Sequence, residues 1–108
     1  IVDLAGTHKN GKENIIGYTD IYATDHYIYT LYSGKKLDQH TNAGMLDTML
    51  SNDILVYDWS GKCICRLVTD IRLFNICVTN DDKELIALGW DDDYHLYSFD
   101  LSKVTFTW

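Results

Sequence analysis

Four histidines and a scatter of carboxylates are the residues here whose types could do chemistry, and their spacing decides which chemistry is open. His8, His26, His40 and His95 stand far apart in the chain, with no two at a metal-ligand spacing on one element. Each reads as a solvated or hydrogen-bonded side chain. The densest carboxylates are Asp91, Asp92 and Asp93 in "WDDDYH". Such a run could hold a hard cation such as calcium, but it lacks the alternate spacing and the glycine of a calcium loop. It reads instead as a charged hairpin tip that discourages pairing at a sheet edge. Asp81 and Asp82 in "TNDDKE" read the same way, as part of a turn. Asp58 and Asp100 each open a turn, in "YDWSGK" and "FDLSK". An aspartate there accepts backbone N–H groups two residues on, so Asp58, Gly61 and Asp100 are expected to be structural.

The three cysteines, Cys63, Cys65 and Cys77, cannot all pair within one chain. Cys63 and Cys65, two apart on a strand, share a face and are poorly placed for a disulfide. All three read as small buried hydrophobes. No Gly-x-Ser-x-Gly elbow, phosphate-cradling glycine loop or nucleophile beside a base is present. No catalytic residue, cofactor or metal site is therefore expected.

The elements that position these residues are strands. The chain has 108 residues, 46% hydrophobic and 13% aromatic, with eight tyrosines and three tryptophans, a composition suited to pleated, half-buried surfaces. That length suits one domain and one core. With proline absent, glycine and Asn/Asp clusters supply the punctuation. Strands are expected at about 18–23, 27–32, 54–59, 63–70, 74–79, 84–90, 94–101 and 104–108. The hairpin "ILVYDWSGKCICRL" is apolar on nearly every residue, where a surface hairpin would alternate.

Self-similarity turns the strands into an architecture. "DIYATDHYIYTLYSG" aligns with "NICVTNDDKELIALGW", and "LVYDWSGKCICRL" with "YSFDLSKVTFTW", setting Tyr57 and Asp58 over Phe99 and Asp100. The copies come into step once Lys35 to Asn52 is treated as an insertion. The reading is a single β domain over 1–108: an extension at 1–16, a first four-stranded antiparallel meander at 17–70 carrying the insertion 35–52, and a second at 71–108. A period of about 40 to 45 residues is that of a β-propeller blade. A blade is covered on both faces by its neighbours, which explains the continuous apolar runs. A small β-sandwich is the alternative fold, and it would place polar residues at every second position of "ILVYDW" and "ELIALGW".

These residues carry a resemblance. "DIYATDHYIYTLYSGKKL", then "ILVYDWSGKCICRLVTDIRLFNICVTNDDKELIALG" and "LYSFDL", resemble the C-terminal part of TolB-like six-bladed β-propellers of the Bacteroides type. The resemblance covers about Tyr18 to Leu101 and implies an extracytoplasmic location, in the periplasm or at the surface of a Gram-negative cell, in a family often lipid-anchored. It implies a scaffold or binding role and transfers no catalytic motif. A six-bladed ring needs roughly 300 residues, whereas this chain supplies about two blades. Either the chain is a fragment of a longer protein or copies of it associate, three of them closing a ring.

The expected function is a non-enzymatic binding or interaction module of the cell envelope, with a protein or glycan partner. Its recognition surface is expected on the insertion, through Leu37, Met45, Leu46 and Met49, either as a contact surface or as a folded cover. Two alternatives stand beside it: a structural unit that completes a propeller ring, and a metal-dependent lactonase or lyase of the propeller type. A formal charge of −7 opposes nucleic acid as a partner. No apolar run approaches the roughly 20 residues that span a bilayer, and "IVDLAGTHKN" lacks the features of a signal peptide.

Overall fold

A computed structural model of the protein describes residues 15–36 and 49–106. Six strands run in chain order: β1 (Ile15–Ala23), β2 (Ile28–Lys36), β3 (Ser51–Tyr57), β4 (Cys63–Val78), β5 (Glu84–Asp91) and β6 (Asp93–Asp100). They form one antiparallel sheet in the order β1-β2-β3-β4-β5-β6. The sheet curls until its two halves face each other, and β1 comes against β4. The fold is all-β and is a partial propeller, not a pair of separately stacked sheets.

Two differences from the sequence expectation concern strand ends. The strands expected at 63–70 and 74–79 are one strand of 16 residues, pairing with β3 as far as Val68 and again, past a shift in register, at Leu73 opposite Ser51, and with β5 from Arg72 onward. Between them the strand is braced by Asn52, whose Nδ2 donates to the Thr69 carbonyl at 2.9 Å, and by Thr69 Oγ1, which donates to the Ile71 carbonyl at 2.6 Å. No break in pairing is needed when side chains satisfy the backbone at a bend. The strand expected at 104–108 is not formed over 104–106. There Phe106 stacks on Tyr27 at 4.6 Å and meets Tyr29 edge-on, so aromatic packing on the first half takes the segment away from a ladder.

The repeat is visible in the register. In the first half, Ile28, Tyr29, Thr30, Leu31 and Tyr32 pair with Tyr57, Val56, Leu55, Ile54 and Asp53. In the second, Leu85, Ile86, Ala87, Leu88 and Gly89 pair with Phe99, Ser98, Tyr97, Leu96 and His95. The bulge repeats as well, with Thr19 the extra residue in β1 and Phe74 its counterpart in β4.

The core lies between the halves. Tyr29, Leu31, Ile54 and Val56 from the first meet Leu73, Ile76, Val78, Leu85 and Ala87 from the second, all buried. Residues alternate across a strand, so each half turns one face to this core and the other outward. Each large aliphatic side chain buried here contributes roughly 1.5–3 kcal/mol.

Candidate functional site

An antiparallel meander places successive turns at alternating ends of its sheet. At one end lie the turns at 24–27, 58–62, 79–83 and 101–103; at the other lie the end of β2 and the entry to β3, the bend of β4 and the turn at Asp92. The described side chains that could do chemistry divide between these ends.

Asp82 organises the first end. It is buried and adopts φ 59°, a left-handed conformation that aspartate tolerates better than most residues. Its Oδ1 accepts from Thr24 Oγ1 at 2.7 Å and from the Tyr29 hydroxyl at 2.8 Å. Its Oδ2 lies 2.5 Å from His26 Nδ1, where an ionised carboxylate can only accept, so the imidazole donates. Burial, with the Asp82 carboxylate behind it, pushes the Tyr29 phenol far above its ordinary range. One carboxylate from the second half thus holds three side chains of the first. Asp20 works in the opposite direction, its Oδ2 accepting the Ile76 N–H of β4 at 2.8 Å. Beside Asp82 a cavity of about 290 Å³ is lined by His26, Tyr27, Lys83, Val104 and Phe106 among others.

The turn aspartates at this end serve the backbone. Asp58 Oδ1 accepts from the Ser60 hydroxyl at 2.5 Å, the Ser60 N–H at 2.9 Å and the Lys62 N–H at 3.1 Å. Gly61 turns the chain at φ 91°, where a side chain would be strained. Asp100 Oδ1 accepts the Ser102 N–H at 2.8 Å, and Asp81 Oδ1 accepts from Thr79 Oγ1 at 2.7 Å and the Lys83 N–H at 3.1 Å. Hydrogen bonds from Ser60, Thr79 and Ser102 hold the carboxyls of Asp58, Asp81 and Asp100 below the usual range. Trp59 Nε1 donates to the Thr24 carbonyl at 3.1 Å and ties two turns together.

The opposite end holds the two described flanks of the insertion, at the end of β2 and the entry to β3. Leu37, Met45 and Leu46 lie outside the described residues; Met49 is exposed and Leu50 is fully buried, so the connection packs down as it enters β3. At this end a cavity of about 260 Å³ is lined by Asp70, Ile71, Arg72, Trp90, Asp91 and Asp92. Trp90 stands edge-on to Tyr94 at 4.8 Å, and Tyr94 likewise to Phe74 at 6.0 Å. Asp93 Oδ1 accepts the Tyr94 N–H at 2.8 Å, while Asp92 forms the tip at φ 59°.

The cysteines are free thiols, half-buried, and burial, with Cys63 nearby, pushes the Cys65 thiol up, away from reactivity. His8 and His40 lie outside the described residues, and His95 is exposed on β6. Among the described residues no three of His, Cys, Asp and Glu converge as a metal-ligand set, and no helix is long and apolar enough to cross a membrane. Sequence reasoning grouped Asp82 with Asp81 as turn residues and missed its reach across the core. A signal was present: Val78 and Leu85 enclose a turn longer than that between their counterparts Ala23 and Ile28, and Asp82 occupies the added length.

No curated protein matches the sequence. A family model described as TolB-like 6-blade propeller-like matches residues 3–82, most of the chain. That match spans the whole first strand set, all of β4 and the turn with Asp82. With the repeated register and the carboxylates that join the two halves, it places this chain in the TolB-like six-bladed propeller family.

Proposed function

We propose that the chain is a non-enzymatic interaction module of the cell envelope and that it recognises a glycan at the end of the sheet that carries the 35–52 insertion. The observation that carries this reading is the 260 Å³ cavity. It joins an indole, a guanidinium and the carboxylates of Asp70, Asp91 and Asp92 on rigid strand ends and a tight turn. An aromatic face stacks on the apolar side of a sugar ring, and carboxylates and guanidinium bond its hydroxyls, so a neutral or amine-bearing glycan suits the site and an anionic one does not. Membership of the family supports the envelope location. The best-buried carboxylate among the described residues, Asp82, engages partners within its own chain, which favours a structural use over a catalytic one.

The test is calorimetric titration of the chain with a panel of neutral, amine-bearing and acidic oligosaccharides. Binding of a neutral or amine-bearing member is expected, weakened at least tenfold, or about 1.4 kcal/mol, by Trp90→Ala. Absence of binding across the panel, or unchanged binding by the variant, contradicts the reading. The purely structural role of completing a ring is favoured by a different observation, the large apolar side chains left on the outer faces, among them Ile21, Val68 and Leu96. A chain that assembles but binds no sugar would favour that role.

A further inference from the structure

The repeat that relates the two halves also relates their outer faces to the core between them. The inward residues of the first half, Tyr29, Leu31 and Ile54, have as counterparts Ile86, Leu88 and Leu96, which point outward on the second half. Ile54 is 1% exposed and Leu96 is 77% exposed. Conversely the inward Ile76, at 6%, has as its counterpart Ile21, outward on the first half at 63%. Each outer face therefore repeats one side of the buried seam, and the two outer faces are the two complementary sides. A groove of about 190 Å³ on the second outer face, lined by Asn75, Cys77, Ile86, Leu88 and Leu96 among others, is almost wholly apolar.

We propose that these two faces dock on one another between copies of this chain, head to tail, so that three copies close a six-bladed ring. The occupant is a second copy because the chain itself carries both halves of the interface and shows how they pack. The polar contact across the internal seam has its counterpart too. Asp20 accepts the Ile76 N–H inside the chain; Asn75, at the position of Asp20, would accept the Ile21 N–H of the next copy, on the edge of β1 that no described strand pairs. The pairs Ala87 with Tyr97 and Gly89 with His95 are replaced by Thr30 with Leu55 and Tyr32 with Asp53. Bulk thus passes from one strand to its partner within each pair, the kind of exchange that packed faces tolerate. For copies of this 108-residue stretch, two described strand sets in each and a family ring of six set closure at three. The turn at 24–27 has no counterpart of Asp82, so the seam between copies lacks that latch and is the weaker of the two. This proposal is independent of glycan recognition at the cavity.

The experiment is sedimentation analysis of the 108-residue chain over a wide concentration range, with the variants Ile21→Asp and Leu96→Asp on opposite faces. The wild type is expected to reach the mass of three chains and to dissociate on dilution. Each variant alone is expected to stay at one chain with native circular dichroism, both sites being exposed in the single chain. An equimolar mixture is expected to form a species of two chains, because each variant retains the face the other has lost. A wild type that stays at one chain at every concentration, variants that still self-associate, or a mixture that does not combine would overturn the proposal.

Discussion

Ile21 and Ile76 occupy the same place in two copies of one repeat, and the first is mostly in water while the second is buried. The strand, the bulge before it and the cross-strand partner positions are shared. What differs is the neighbour: Ile76 faces the first half of the sheet and Ile21 faces nothing among the described residues. The same contrast separates Ile54 from Leu96. Burial in this molecule is thus a property of the seam, not of the strand, and the continuous apolar runs record positions built to be covered.

The largest effect that can break this comparison is a cavity on one side of it. Ile54→Ala removes packing from the seam and is expected to cost about 3 kcal/mol, whereas Leu96→Ala should cost under about 0.5 kcal/mol in the single chain. Urea unfolding of dilute protein measures both, and equal costs would break the contrast. Next comes the latch. Asp82→Ala strips the acceptor from the buried Tyr29 hydroxyl and from Thr24, an expected loss of about 2 kcal/mol. Asp82→Asn, which keeps an acceptor and tolerates the left-handed backbone, should lose roughly half of that.

Gly89 sharpens the comparison further. A Cβ at this position would meet the Tyr97 ring at 2.7 Å and Ile71 at 2.9 Å, while its counterpart in the first half is Tyr32. Gly89→Ala is expected to cost about 1–2 kcal/mol, seen as a lower urea midpoint at unchanged slope. The smallest effect belongs to the exposed turns. The folded carboxyls of Asp58, Asp81 and Asp100 are held below their ordinary value of 3.8. Their contribution is therefore fully present above that value and is lost as pH falls through the lowered ones. Replacing all three with Asn should lower the thermal midpoint at pH 7 slightly and flatten the decline between pH 4 and 2, as followed by melting at stepped pH.

Much of the fold was legible because local rules and the repeat agree. Glycine and Asn/Asp clusters mark the turns, and the alignment of Tyr57 with Phe99 reappears as equivalent register. The joining of two expected strands into β4 was not legible, since the stretch between them is held by Asn52 and Ser51, which are remote in sequence. The lost strand at 104–106 depends on Phe106 finding Tyr27, again a tertiary choice. At the site, Asp58 has its partners within four residues, whereas Asp82 finds Tyr29 fifty-three positions away. A turn carboxylate that serves its own backbone and one that bridges two blades look alike until the neighbour is in place. The cavity at Trp90 was missed for a similar reason: Asp70 and Arg72 come from the bend of β4 and Trp90, Asp91 and Asp92 from the end of β5 and its turn.

The central claim is that the two halves are held face to face through Asp82 and not merely linked along β4. A double-mutant cycle of Tyr29→Phe and Asp82→Ala, each of which removes the bond, read by urea unfolding, tests it most directly. If the hydroxyl and the carboxylate meet across the seam, the two substitutions should be coupled by about 1–2 kcal/mol. Additive losses, within about 0.3 kcal/mol, would mean that the side chains do not meet and would contradict the account.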